Sequence, residues 1–139
     1  MSADHGPVVP RLSMLKSKLH RLTVTHADVD YEGSLTLDRT LMDAAHILPW
    51  EEVHVWNVTR GTRLRTYAME ADPGTGIVCV NGAAAHLCKP GDLIIVATYT
   101  LLDEHAARQH RPRIVLVGAN NRITRANGEM IPGPHLRTG

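Results

Sequence analysis

The pair Gly33-Ser34, within the stretch DYEGSLTLD from Asp30 to Asp38, is the first place in this sequence where chemistry could reside. A serine hydroxyl becomes a nucleophile when its surroundings activate it. The simpler interpretation is a hairpin turn, in which Gly33 supplies a positive φ and Ser34 begins the next strand. Because Gly and Ser are both common residues, the dipeptide alone does not decide between the two interpretations.

The other familiar catalytic and binding motifs do not occur in the sequence. Of its 9 histidines, none lies four residues from another, and no carboxylate pattern accompanies them, so no metal site is predicted. The GxGxxG, P-loop and GxSxG motifs are also missing. Cys79 and Cys88 lack metal-binding spacing, and we expect two buried free thiols in a reducing cytoplasm rather than a disulfide.

Composition favours one ordinary globular domain, since the chain has 139 residues, 43% of them hydrophobic and 21% charged. A net charge of +1 and an aromatic content of 4% argue against a nucleic-acid partner, which needs a basic or ring-rich surface. The apolar run from Leu93 to Leu102 is shorter than the ~18 residues of a membrane span, and the first residues do not resemble a signal peptide. These features predict a cytoplasmic protein without a membrane partner.

Alternation of apolar and polar residues predicts a chain made mainly of short strands. The predicted strands cover 16–25, 34–38, 53–59, 63–69, 77–80, 93–99 and 113–117, with a hairpin loop over Arg60 to Thr62. Asp38 is expected to cap a helix over 39–48 that Pro49 ends, and Asp103 a short helix through Gln109. Many short strands with two short helices predict a mainly β barrel.

This barrel is expected to occupy residues 14–119. Residues 1–13, rich in Pro and small polar types, are predicted to be a flexible extension. Residues 120–139 form a polar C-terminal tail, rich in Gly and Pro, whose order the sequence does not predict.

Seven segments between Met14 and Val117 carry a family resemblance. In order, they are MLKSKLHR, VTHAD, YEGS, LMDAA, VWNVTRGTRLRTYA, NGAAAH and PGDLIIVA. With these motifs the chain resembles the bacterial aspartate 1-decarboxylases, pyruvoyl-dependent enzymes that make β-alanine for pantothenate. The resemblance implies a double-psi β-barrel, a homotetramer with active sites between neighbouring subunits, and L-aspartate as the substrate.

The expected reaction explains why a serine is needed at residue 34. Loss of carbon dioxide from an amino acid leaves an electron pair on Cα, so the enzyme must supply an electron acceptor. A pyruvoyl group does this without PLP or a metal. The Ser34 hydroxyl can attack the preceding carbonyl to give an ester, which eliminates to dehydroalanine and is then hydrolysed to pyruvoyl. Gly33 minimises crowding at the attacked carbonyl.

The resemblance also implies roles for individual residues. Ser34 becomes the pyruvoyl group and Schiff-base site, and cleavage after Gly33 divides the chain into a β chain of residues 1–33 and an α chain of residues 34–139. Thr66 assists cleavage and contacts substrate, and Tyr67 donates the proton that quenches the carbanion. Lys18 and Arg63 bind the substrate carboxylates.

Further matched positions line the expected site. Gly82, Ala83 and Ala84 offer backbone groups to the substrate, and Asn81 orients the pyruvoyl amide or the substrate. Trp56, Tyr31 and His20 match family positions near the site or the processing loop. Each of these residues also has a simpler interpretation, as a strand residue, a solvated rim charge or part of a tight turn.

Two alternatives remain open at the level of sequence. The substrate could be another acidic amino acid, such as glutamate. The chain could instead be an uncleaved barrel that serves as a binding or assembly module. The sequence also does not determine whether cleavage is spontaneous or needs a maturation factor.

Overall fold

The computed structural model describes residues 8–128 and 133–134, and within them the chain is mainly β. The strands are β1 (Arg11–Thr23), β2 (His26–Asp28), β3 (Ser34–Asp38), β4 (Glu52–Asn57), β5 (Arg63–Ala71), β6 (Val78–Asn81), β7 (Leu93–Asp103), β8 (Arg113–Val117) and β9 (Ile123–Arg125). The helices are α1 (Arg39–Ala44) and α2 (Glu104–Gln109), with 3-10 turns at Gly82–His86 and Ala119–Asn121. The predicted mainly β class with two short helices is confirmed.

The strands form one sheet in the order β2-β6-β3-β5-β4-β7-β1-β8-β9. The pairs β1–β8, β2–β6 and β3–β5 are parallel, and the other neighbours are antiparallel. Buried side chains from β1, β3, β6 and β8 belong to the same core cluster, so the sheet wraps around its own apolar face. This mixed order agrees with the double-psi barrel that the resemblance implies.

The core is aliphatic, as a chain without Phe requires. Its largest fully buried side chains are Leu19, Leu22, Val24, Leu35, Leu37, Leu41, Met42, Val53, Val55, Val78, Val80 and Ile94. On β3, Leu35 and Leu37 point into this core, so the alternation of a strand turns Ser34 and Thr36 to the other face. The core therefore determines which way the candidate nucleophile points.

The predicted hairpin and both predicted helix caps are confirmed. Strands β4 and β5 pair antiparallel, and Asp38 and Asp103 accept hydrogen bonds from the N–H groups of Thr40 and Ala106. The first helix, however, ends at Ala44 instead of residue 48. The chain turns there because His46 adopts a left-handed conformation with φ of 56°, well before Pro49.

Both ends of the barrel extend beyond the predicted boundaries. Strand β1 begins at Arg11, which pairs with Asp103, so residues 11–13 are strand and the prediction of a flexible extension is wrong for them. Strand β9 lies inside the predicted tail and pairs with β8. Local sequence did not reveal these strands because a partner strand, rather than strong alternation, stabilises them. Most of residues 1–7 and 129–139 lies outside the described part.

A buried carboxylate, Asp92, holds together the turns at one end of the barrel. It accepts hydrogen bonds from Arg60 Nε at 2.6 Å, Asn57 Nδ2 at 2.9 Å and the Lys89 N–H at 2.9 Å. Burial by itself would raise the pKa of Asp92, but these hydrogen bonds outweigh burial and lower its pKa from 3.8 to about 2. The ionised form is therefore the one that the fold requires.

Replacing Asp92 with Asn is expected to lower the free energy of unfolding at pH 7 by on the order of 2 kcal/mol. Because the pKa of Asp92 is depressed in the fold, its contribution is present above about pH 4 and is lost as the pH falls toward 2. Urea unfolding at pH 7 and pH 3 measures this. Asp72→Asn, at an exposed turn, is the matched control, and an equal effect of the two changes at pH 7 would contradict the assignment.

Candidate active site

Ser34 lies where three segments of the chain meet. It is the first residue of β3 and only 4% exposed, and it pairs with Asn81 of the antiparallel neighbour β6. On its other side β3 runs parallel to β5, with Leu35 opposite Ala68. Ser34 and Tyr67 immediately precede that pair on their strands, so the register brings the predicted proton donor next to the predicted pyruvoyl position.

The hairpin-turn interpretation of Gly33-Ser34 is wrong. Strands β2 and β3 do not pair with each other, because both pair with β6, which lies between them. Gly33 also lies outside the left-handed region and has no positive φ to supply. The glycine at this position therefore needs an explanation other than turn geometry.

Asn81 connects the Ser34 hydroxyl to two further side chains. Its Nδ2 donates to Ser34 Oγ at 3.3 Å and to Thr36 Oγ1 at 3.2 Å, while its Oδ1 accepts from Cys79 Sγ at 3.2 Å. Asn81 itself is 4% exposed. Because the Asn81 side chain donates through Nδ2 and accepts through Oδ1, the orientation of its amide is determined. The Ser34 hydroxyl oxygen accepts one of these hydrogen bonds.

Cys79 and Thr36 are site residues that the sequence analysis missed. Burial, followed by the charge of Asp28, raises the pKa of the Cys79 thiol, which therefore keeps the proton that it donates to Asn81. The sequence could have indicated Cys79, because Cys79 precedes Asn81 by two residues in the strand VCVN and residues two apart on a strand share a face. The prediction of free thiols is confirmed, although Cys79 is only half-buried.

The segment after Asn81 lies against the residues before Ser34. Gly82 begins the 3-10 turn and packs on the backbone of Gly33 and Tyr31, while Ala83 is exposed and Ala84 is half-buried. The structure thus brings Asn81 and Gly82 to the two sides of the Gly33–Ser34 bond.

Strand β5 carries Thr66 and Tyr67, both half-buried. The Tyr67 ring stacks on Trp50, with centroids 5.7 Å apart and planes inclined by 20°. Trp50, which the sequence analysis did not select, is 71% exposed, and its backbone N–H donates a hydrogen bond to the Ala68 carbonyl. The stacking on Trp50 holds the Tyr67 phenol on the face of the sheet where Ser34 lies.

Neither of the two predicted carboxylate-binding residues is on a strand position that pairs with Ser34, since Lys18 pairs with Ala97 and Ile114, and Arg63 pairs with Trp56. Arg63 begins β5, and its guanidinium stands 5.6 Å from the Trp56 ring centroid. At ~3.3 Å per residue, the Cα atom of Arg63 is about 13 Å along the strand from that of Tyr67. Lys18 is on β1, which β5, β4 and β7 separate from β3 in the sheet order.

The remaining predicted positions are also distributed over different elements. His20 is on β1 opposite Leu116 of β8. Tyr31 is 63% exposed in the connection between β2 and β3.

A cleft of about 320 Å³ opens beside Asn81 and its hydrogen-bond partners Cys79 and Thr36. Its walls are His26, Asp28, Tyr31, Thr36, Ala71, Ile77, Cys79 and Asn81. A larger cleft of about 400 Å³ lies elsewhere, between Ser13, Glu51, Glu52, His54, Arg65 and Tyr99. The smaller cleft is the better candidate for a substrate site, because Asn81 lines it and also donates a hydrogen bond to the Ser34 hydroxyl.

Residues 8–128 and 133–134 contain no group of three or more His, Cys, Asp or Glu side chains placed to hold a metal ion. The same part of the chain contains no helix long and apolar enough to cross a membrane.

Comparison with known proteins decides the family. The sequence model described as aspartate decarboxylase matches residues 11–124. This chain belongs to the aspartate decarboxylase family. The match confirms the resemblance seen in the motifs and extends it at both ends, in agreement with the observed start of β1 and the presence of β9.

Relatives named aspartate 1-decarboxylase are similar along most of the chain. The protein of Myxococcus xanthus is 52% identical over 128 residues, which cover 92% of this chain and 98% of that one. That of Rhodopirellula baltica is 54% identical over 129 residues, covering 93% and 82% respectively. That of Legionella pneumophila strain Lens is 52% identical over 118 residues, covering 85% and 89%. The predicted enzyme class, a carboxy-lyase, is confirmed.

A solved structure of a rationally designed protein, mkDPBB_sym_86, shares 19% identity with this chain at a TM-score of 0.43. It covers 55% of this chain and 90% of the designed one. That likeness is too partial to support a statement about this protein.

Proposed function

We propose that this protein decarboxylates L-aspartate to β-alanine and carbon dioxide, using a pyruvoyl group made from its own Ser34. The observation that carries the proposal is the environment of Ser34, whose buried hydroxyl is hydrogen-bonded to Asn81 and adjoins Tyr67 in register. Family membership supplies the reaction class. The product would serve pantothenate and coenzyme A synthesis in the cytoplasm.

The proposed maturation begins with an acyl shift at Gly33–Ser34. Ser34 Oγ bonds to the Gly33 carbonyl carbon and loses its proton, the C–N bond breaks, and the freed nitrogen takes a proton. Loss of the Cα proton then expels the Gly33 carboxylate and leaves dehydroalanine, from which water releases ammonia to give pyruvoyl. Each atom comes from the chain or from water, so neither PLP nor a metal is required. Thr66 is proposed to assist this cleavage.

The residues around Ser34 fit a pyruvoyl group. The Asn81 Nδ2 that now donates to Ser34 Oγ offers the same donor to a carbonyl oxygen at that position. The pyruvoyl group supplies the electron acceptor for the charge left on the substrate Cα. Tyr67 is proposed to deliver a proton to that carbon, since a phenolic O–H is a donor that can act as a general acid. Backbone groups of Gly82–Ala84 are proposed to line the substrate.

Aspartate carries two carboxylates, which Lys18 and Arg63 are proposed to bind. Because Arg63 lies about 13 Å along β5 from Tyr67 and the strand of Lys18 does not pair with β3, we propose that a neighbouring subunit supplies them. This assignment agrees with the homotetramer that the family resemblance implies, in which active sites lie between subunits. Their positions in a single chain favour a shared site over one built within each barrel.

Intact-mass analysis of the purified protein tests the proposed function. We expect two fragments, residues 1–33 and residues 34–139, with the second lighter by one ammonia than a fragment that starts with serine. A hydrazine should label only the second fragment, because only that fragment carries a ketone. A folded, unbroken chain that releases carbon dioxide from aspartate would contradict the mechanism, whereas an unbroken and inactive chain would favour a binding or assembly module.

Replacing Arg63 with Gln is expected to lower kcat/KM for aspartate about 10- to 100-fold, because a charge-assisted hydrogen bond is worth roughly 1.5–3 kcal/mol. Arg65→Gln removes the same charge from the same face of β5 and is the matched control. Steady-state carbon dioxide release measures both variants. An equal loss in the two would show that net charge, not a specific contact, is responsible.

The same variant tests whether the site is shared between subunits. Tetramers that mix Arg63→Gln with Ser34→Ala contain some sites with both intact residues only if the two residues come from different chains. Co-expression is therefore expected to restore part of the activity that each variant lacks alone. Mixed tetramers no more active than the separate variants would place both residues in one chain.

A further inference from the structure

Gly82 has a backbone conformation that only a few residue types adopt. Its φ is +68°, in the left-handed region, and the residue is buried at the start of the 3-10 turn. It directly follows Asn81, whose side chain holds the Ser34 hydroxyl. Two consecutive residues therefore contact the two sides of the Gly33–Ser34 bond.

The contact of Gly82 with Gly33 leaves no room for a side chain. A Cβ on Gly82 would lie 2.6 Å from Gly33 Cα, 2.9 Å from Gly33 N and 3.2 Å from Tyr31 O. Carbon atoms in ordinary contact stand ~3.5–4.0 Å apart. All three atoms belong to the backbone, so no side-chain rotation could relieve the clash. The segment before Ser34 would have to move instead.

Gly33 has no such restriction of its own. A Cβ built on it meets nothing within 4 Å, and its φ is not in the left-handed region. The close approach between the two segments therefore depends on the absence of a side chain at Gly82.

From this geometry we infer that Gly82 is a positioning residue for chain maturation. Its bare backbone allows Gly33 to approach closely enough for Ser34 Oγ to reach the Gly33 carbonyl carbon. This role rests on the proposed function and is additional to any contact of the 82–84 backbone with substrate. A displacement of about 1 Å at a reacting centre costs on the order of 100-fold in rate.

The test compares Gly82→Ala with Gly91→Ala. Gly91 also has a left-handed φ, +93°, but a Cβ there would meet nothing within 4 Å, so this control imposes the backbone strain without the clash. Intact mass followed over time gives the cleavage rate, and circular dichroism verifies folding. We expect Gly91→Ala to cleave at the wild-type rate and folded Gly82→Ala roughly 100-fold more slowly.

A second measurement locates the block. Hydroxylamine cleaves esters readily and amides poorly, so it reports whether the acyl shift has occurred. We expect the Gly33–Ser34 linkage of uncleaved Gly82→Ala to resist hydroxylamine, because it remains an amide, and fragment masses distinguish this site from Asn127-Gly128, where hydroxylamine can cleave independently. Rapid scission by hydroxylamine between Gly33 and Ser34 would overturn the inference by showing that Gly82 acts after the shift.

Gly82→Asn separates the clash from the strain, since Asn tolerates the left-handed region but still carries a Cβ. It is expected to cleave as slowly as Gly82→Ala. Wild-type cleavage rates in the folded Gly82 variants would overturn the inference and leave the proposed function intact. Failure of both variants to fold, with Gly91→Ala folded, would also overturn it, because Gly82 would then serve the fold as a whole. An unbroken wild type would refute the proposed function itself.

Discussion

Ser34→Ala is expected to remain a single polypeptide of 139 residues and to release no carbon dioxide from aspartate. Without Oγ there is no nucleophile for the acyl shift and no leaving group for the elimination. The variant should still fold, because Ala fits the buried start of β3 and Asn81 keeps its bond to Thr36 Oγ1. Loss of one hydrogen bond costs about 1 kcal/mol. Intact mass, thermal melting and a carbon dioxide assay measure these three properties.

Ser13→Ala is the matched control, since it removes an exposed hydroxyl from β1 and should leave cleavage and turnover as in the wild type. Decarboxylation of aspartate by folded Ser34→Ala, at any rate above that of buffer, would refute the assignment of Ser34.

Tyr67→Phe is expected to mature normally but to lose roughly 100- to 10,000-fold in kcat, the range that general acid catalysis contributes. Phe keeps the ring that stacks on Trp50, so the fold around β5 should not change. Only the phenolic hydroxyl is removed. Because Lys18 and Arg63 are proposed to bind the substrate carboxylates, KM should change much less than kcat, and steady-state kinetics on fully cleaved protein separate the two.

Tyr99→Phe provides the comparison, because Tyr99 is on β7 and its ring lies against His54 instead of the Ser34 segment. It is expected to turn over like the wild type. A kcat for Tyr67→Phe that matches this control would assign the proton donor elsewhere, to water or another side chain.

Local sequence predicted the elements of the fold better than their limits. Asp38 and Asp103 cap the two helices, and alternation located most strands, because capping and strand burial depend on neighbouring residues. The early end of α1 at His46 and the pairing of Arg11 with Asp103 were not predicted. Both depend on the course of the chain and on residues distant in sequence.

The sequence by itself determined the family, through seven motifs in register, and with it the serine, the phenol and the cations that the expected chemistry requires. The tertiary structure alone decided how they are arranged. It placed Cys79 and Asn81 behind the Ser34 hydroxyl, set Gly82 against Gly33, and put Lys18 and Arg63 on strand positions that do not pair with Ser34. The physical reason is that hydrogen bonds and close contacts form between strands whose pairing joins distant parts of the chain, and periodicity within one strand does not encode its partner.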